Sequence, residues 1–196
     1  MMYDLGDYEG DASTLLEPEG AGLLVVDVQE KLWPHMSDKE TQLKYTLQAI
    51  EVAGNLGLPI LVTEQYVKGL GPTIPEVKAA LEKFGAYRPI EKKSFSCFGE
   101  YAFVRELENT DVDTLAIVGI EAHVCVLQTV LEALDRDMEV FLLAEGCDSR
   151  LARHKEEAIV RTRDAGAIVG SVEMFAFEAM RTASHPAFRK VQKAIL

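Results

Sequence analysis

Short apolar runs and longer stretches of helical periodicity alternate along this chain from about residue 20 to its end. Residues 23–26, 59–63, 115–118, 139–144 and 167–170 are dominated by Leu, Ile, Val, Phe and Ala, the pattern of strands buried on both faces. A further run at 89–93, Pro89-Ile90-Glu91-Lys92-Lys93, predicts a short strand that ends in charge. Between the strands, residues 39–55, 75–83, 100–108, 122–136 and 153–165 carry apolar positions at helical spacing. The first of these helices is closed by Gly54 and Gly57, and the second opens on Pro75, a favoured first helical position. Helical segments fill the chain after residue 170. Strands alternating with helices imply right-handed crossovers and a parallel sheet covered on both faces. The expectation is therefore an α/β fold, a three-layer αβα sandwich with a six-stranded parallel sheet.

Residues 1–19 break the pattern. They are acidic and aperiodic apart from Leu15-Leu16, and predict a surface arm that packs on the domain or on a partner subunit. Residues 20–196 then form a single domain, in keeping with a length of 196 residues and a hydrophobic content of 48%. A net charge of −12 argues against a nucleic-acid partner, which wants clustered Lys and Arg. No apolar run approaches the roughly 18 residues of a membrane span, and the N-terminus is acidic where a signal peptide is basic. Three widely spaced cysteines, Cys97, Cys125 and Cys147, read as reduced thiols in a cytoplasmic protein.

In a parallel sheet of this kind, ligands bind beyond the carboxyl ends of the strands. That directs attention to Asp27 and to residues 64–66, 92–96, 119–125 and 146–150. No Gly-x-Gly-x-x-Gly follows the first strand and no Walker A signature is present, so no nucleotide cofactor is expected. Cys125 lies one turn into the predicted helix after residues 115–118, where the helix N-terminus favours thiolate over thiol. Alone it would more often be a small buried hydrophobe. Asp27 ends a fully apolar strand, as a turn residue or as a functional carboxylate. Lys92 and Lys93 end another strand, and alternation sends only one of them toward the pocket. A thiol, a carboxylate and an ammonium at one sheet edge make a coherent set. The carboxylate takes the thiol proton, the ammonium stabilises the charges, and helix N–H groups hold an oxyanion.

Three blocks make this set specific: Val25-Val26-Asp27-Val28-Gln29, Lys92-Lys93-Ser94-Phe95-Ser96 and Val118-Gly119-Ile120-Glu121-Ala122-His123-Val124-Cys125-Val126. In kind and order they resemble the blocks of the isochorismatase-like cysteine hydrolase superfamily, over about residues 20–180. The resemblance implies a catalytic triad of Asp27, Lys92 and Cys125, with Lys93 a bystander. It implies a cis peptide between Ile120 and Glu121, an oxyanion hole from the N–H groups of Glu121 and Cys125, and a first and fourth strand side by side at the centre. Nicotinamidases of this superfamily carry an Asp-x-His metal motif after the second strand. Here Thr63-Glu64-Gln65-Tyr66 stands in its place, and His35, His123, His154 and His185 lack ligand spacing, so no metal is expected. Isochorismatases proper usually lack the cysteine. The segment at residues 62–73 looks like that of the isochorismatase domain-containing hydrolases.

The resulting reading is a cysteine-dependent hydrolase of a small amide, imide or similar carbonyl compound, acting through a covalent thioester. Two alternatives stand beside it: an isochorismatase-type hydrolase driven by Asp27, and a non-catalytic ligand-binding or scaffold protein. Gln29, Trp33, Gln65 and Tyr66, on or near the loops after the first two strands, are candidate pocket residues. His123, two residues before Cys125, should point away from the thiol. The basic cluster at residues 150–155 reads as a solvated helix start or as an attractor for an anionic substrate. A homodimer or homotetramer is expected from the resemblance, and from apolar surface predicted around Phe175, Phe177 and Met180.

Overall fold

The computed structural model describes residues 15–196; the first fourteen residues of the predicted arm lie outside the described residues. Six strands form one parallel sheet in the order β3-β2-β1-β4-β5-β6. They are β1 (Ala21–Val26), β2 (Ile60–Gln65), β3 (Ile90–Lys92), β4 (Thr114–Ile120), β5 (Glu139–Asp148) and β6 (Ile168–Gly170). The central strands β1 and β4 run in register from Ala21 opposite Thr114 to Val26 opposite Gly119.

Strand alternation sorts the core into two layers. Leu23, Val25, Val62, Ala116, Val118, Phe141 and Leu143 face helices α1 (Lys39–Leu56), α3 (Pro75–Lys83), α7 (Val172–Met180) and α8 (Phe188–Ile195). Leu24, Val26, Leu61, Leu115, Ile117, Val140 and Leu142 face α4 (Tyr101–Glu108), α5 (Leu127–Leu134) and α6 (Ala152–Asp164). Each fully buried Leu, Ile or Phe contributes about 1.5–3 kcal/mol. Both faces of the sheet are therefore anchored, which fixes the carboxyl ends of the strands as a rigid edge. Among the described residues no helix is long and apolar enough to cross a membrane.

Several local features differ from the sequence pattern. β5 continues four residues past the predicted end at residue 144. The β4–β5 register shifts between Ile117 and Gly119, so that Cys147 and Asp148 pair with Gly119 and Ile120. The predicted helix at residues 122–136 opens with a π-helical turn, Ala122–Val126, before α5 begins. A four-residue helix, α2 (Val67–Leu70), follows β2 where only a loop was expected. Finally, Phe175 and Met180 are buried in the core, so the apolar surface of that segment comes from Phe177 and the neighbouring Met174 instead. Leu16, inside the predicted arm, is also buried in the core; its N–H donates to Glu178 and its carbonyl accepts from Arg181.

Candidate active site

Asp27 follows the last residue of β1 with φ at 52°, a left-handed conformation that Asp tolerates better than most side chains. Beside it, Gly119 of β4 has φ at 140°, and a Cβ there would stand 2.2 Å from the Val26 carbonyl oxygen. Only glycine allows the two strands to approach this closely at the site. The Asp27 carboxylate accepts from Thr63 Oγ1 at 2.8 Å and from Lys92 Nζ at 2.7 Å. The side chains of Asp27 and Lys92 are both fully buried.

Lys92 ends β3 and points into the sheet edge, while Lys93 is exposed. Its ammonium has four acceptors: Asp27 Oδ2, Gln65 Oε1 at 2.9 Å, the Phe95 carbonyl at 2.9 Å and the Ser94 carbonyl at 3.2 Å. Burial works against its charge. The Asp27 carboxylate, with smaller contributions from Cys97 and Cys125, outweighs burial and leaves the Lys92 pKa above its ordinary value. A buried cation survives here because its donors are met.

Cys125 lies in the π-helical turn and is 5% exposed. Burial raises its thiol pKa, and the Asp27 carboxylate raises it further by charge and as a hydrogen-bond partner, against the lowering effect of Lys92. These influences favour the thiol over the thiolate beside Asp27, against the helix terminus and Lys92. Behind it, Thr129 Oγ1 donates to the Cys125 carbonyl at 2.7 Å and accepts from the Cys97 N–H at 3.0 Å.

The Ile120–Glu121 peptide bond is cis. The Glu121 carbonyl accepts from the N–H groups of Val124 and Val126, and its carboxylate accepts from the Arg150 N–H and Nε, both at 3.0 Å. Arg150 belongs to a three-residue hub at the end of β5. Asp148 accepts from Ser37 Oγ at 2.8 Å and the Asp38 N–H at 2.6 Å, at the start of α1. Ser149 Oγ pairs with His123 Nδ1 at 2.9 Å, and His123 packs on His154. His123 thus looks away from Asp27 and Lys92, and its pKa is lowered first by burial.

The candidate pocket residues divide. Tyr66 is exposed and, with Lys68, Glu91, Lys92, Lys93 and Glu100, lines an open cavity of about 440 Å³. Gln65 reaches Lys92 through Oε1 and the Lys93 carbonyl through Nε2. Gln29 is fully buried, its amide occupied by the backbone of Gln65 and Gly71, so it holds the loop after β2 and does not present itself to a ligand. Trp33 packs against the core and donates to the Lys39 carbonyl. Among the described residues no group of three or more His, Cys, Asp or Glu is arranged to hold a metal ion. Sequence reasoning missed Thr63 as a partner of Asp27, although its spacing of two from Gln65 on one strand face was available. The Ser94 and Phe95 carbonyls carry no side-chain signal.

Comparison with known proteins follows the same lines. A mouse relative, isochorismatase domain-containing protein 2A, is 35% identical over 179 residues, covering 91% of this chain and 84% of that protein. A solved structure described as the MAR1 ribonuclease from Caenorhabditis elegans superposes with a TM-score of 0.85 at 34% identity, covering 92% of each chain. The YcaC gene product of Escherichia coli, described as an octameric hydrolase of unknown specificity, shares the fold with a TM-score of 0.82 at 23% identity, covering 95% of this chain and 98% of that one. With residues 21–174 also matching the isochorismatase domain model, the chain belongs to the isochorismatase family.

Proposed function

We propose that this protein is a cysteine-dependent hydrolase of a small amide, imide or similar carbonyl compound. The observation that carries the reading is the Cys125 thiol beside the Asp27 carboxylate, itself ion-paired to the buried Lys92. Asp27 takes the thiol proton as Cys125 Sγ attacks the carbonyl carbon, and the N–H groups of Glu121 and Cys125 stabilise the oxyanion. Asp27 then returns the proton to the leaving group, giving a thioester. A water activated by Asp27 attacks the thioester, and Cys125 leaves as the thiol. Lys92 keeps its charge throughout and holds the carboxylate in position. The open cavity lined by Tyr66, Lys68 and Lys93 lies beside the strand end that carries Lys92.

One observation favours a second reading. Burial and Asp27 push the Cys125 thiol pKa up, and in the second reading that thiol stays a bystander while Asp27 drives an isochorismatase-type hydrolysis. The test is hydrolysis of a panel of small amides, imides and esters by the wild type, Cys125→Ala and Asp27→Asn. Loss of several orders of magnitude in Cys125→Ala supports the covalent route. Retained activity in Cys125→Ala with loss in Asp27→Asn assigns the second reading. RNA belongs in the panel because the C. elegans neighbour is described as a ribonuclease, although a net charge of −12 opposes an RNA substrate. The octameric E. coli neighbour and the family resemblance favour a homo-oligomer, which sedimentation tests directly.

A further inference from the structure

We propose that Thr63, oriented by the Cys97 thiol behind it, is a positioning residue that sets the proton affinity of Asp27 and thereby governs how the proton is divided between Asp27 and Cys125. This rests on the reading of Asp27 as the base for Cys125. The geometry is a relay of three groups. Cys97 Sγ lies 3.7 Å from Thr63 Oγ1 as its hydrogen-bond donor, and Thr63 Oγ1 lies 2.8 Å from Asp27 Oδ1. A carboxylate can only accept, so the Thr63 hydroxyl proton points at Asp27 and its lone pairs face the Cys97 thiol. All three side chains are fully buried, where such bonds are strong and water does not substitute for them. Cys97 keeps its proton well into the alkaline range, pushed up to about 11 by burial first and by Asp27 next, which holds the relay in one direction.

The relay works on one carboxylate oxygen while Lys92 works on the other. Among the described residues, the titratable groups acting on the Asp27–Cys125 pair are therefore Lys92 from β3 and Cys97 from the turn after it. Donation from Thr63 favours the ionised carboxylate and so leaves the proton on sulfur. Removing it makes Asp27 the better proton acceptor. At a fixed number of protons on the pair, more of them reside on Asp27 and more of the sulfur is thiolate. The counter-intuitive consequence is that losing this support should speed the reaction of Cys125 with an alkylating agent. The same change should make Asp27 a poorer acid toward a leaving group.

The experiment is the rate of iodoacetamide modification of Cys125 between pH 5 and 9 in the full chain, read by peptide mass spectrometry. In Thr63→Val the neutral-pH rate should rise about tenfold and the acid limb should move up by about one pH unit, the effect of one hydrogen bond to a charged acceptor. Thr63→Ser should retain the wild-type profile. Cys97→Ala leaves the hydroxyl in place but removes its anchor, and should shift the profile in the same direction by less; it also serves if Thr63→Val does not fold. Profiles of Thr63→Val or Cys97→Ala that superpose on the wild type, while Asp27→Asn changes the shape, overturn the proposal alone. A profile unchanged in Asp27→Asn overturns the reading of Asp27 as the base, and the proposal with it.

Discussion

Replacing Lys92 by Met should destabilise the fold far more than a surface charge change, through the group it leaves behind. The Lys92–Asp27 pair lies at 2.7 Å with both side chains buried, and at an effective dielectric of about 20 its gross attraction is about 6 kcal/mol. Much of that attraction offsets the desolvation of two ions, so the pair itself adds little net stability. The variant, however, keeps the buried carboxylate with the Thr63 hydroxyl and the Cys125 thiol as its remaining donors. It also strips the Gln65, Ser94 and Phe95 oxygens of their shared donor. The expected loss is about 3–5 kcal/mol, lessening as pH falls because protonating the orphaned carboxylate removes its charge. Urea unfolding at pH 7 and pH 5, followed by circular dichroism, measures both. The double variant Lys92→Met/Asp27→Asn should regain stability over Lys92→Met. A loss below about 1 kcal/mol, or a double variant no more stable than the single, would refute the claim that the unpaired carboxylate is the source of the cost.

Other changes follow from the same structure. Lys93→Ala should leave stability within about 0.5 kcal/mol of wild type and leave Cys125 alkylation unchanged, since its side chain is exposed; a slowed alkylation would contradict the assignment of Lys92 to the site. Gly119→Ala should cost about 3 kcal/mol or more, read as a depressed Tm, because the new Cβ meets the Val26 carbonyl at 2.2 Å and φ is 140°. Stability should also fall above about pH 9. The unfolded chain releases its cysteine protons near the ordinary 9.0, whereas the folded chain holds those of Cys97 to about 11 and Cys147 to about 12. Stability is thus fully present below pH 9 and lost as pH rises through these values, Cys97 alone accounting for about 3 kcal/mol. Thermal scans from pH 7 to 11 that show no fall in Tm would oppose this.

The strands were legible where burial on both faces made them continuously apolar, as in residues 115–118. The boundary of β5 was not, because Glu145 and Gly146 look like a loop and the register shift that lets Cys147 and Asp148 rejoin β4 leaves no local signature. The π-helical turn holding Cys125 was read as regular helix because apolar spacing does not distinguish the two over five residues. Asp27, the Lys92-Lys93 pair and Cys125 stood out because each ends or closely follows a strand at one sheet edge, and the family resemblance then chose Lys92 over Lys93. Their partners were harder to see. Thr63 looks like any strand threonine, Gln29 looks like a loop residue facing a pocket, and the carbonyl oxygens around Lys92 depend on backbone path alone. The balance at Cys125 depends on depth as much as on position: burial and the neighbouring Asp27 carboxylate push its thiol pKa up, against the lowering effect of Lys92.

The hub at the end of β5 bears on how such a chain can diverge. Asp148, Ser149 and Arg150 fasten the start of α1, the His123 ring and the Glu121 carboxylate in consecutive positions. Inserting or deleting one residue between Leu143 and Asp148 would misalign all three anchorages together, since neighbours on a strand point to opposite faces. The backbone after β2 is pinned as well, by Gln29 on the Gly71 carbonyl, the Lys31 N–H on the Leu70 carbonyl and Glu91 on the Val67 N–H, but the Tyr66 side chain stands exposed above the open cavity. Side-chain variation should therefore accumulate at Tyr66 and Lys68, while the spacing from β5 to Arg150 stays fixed.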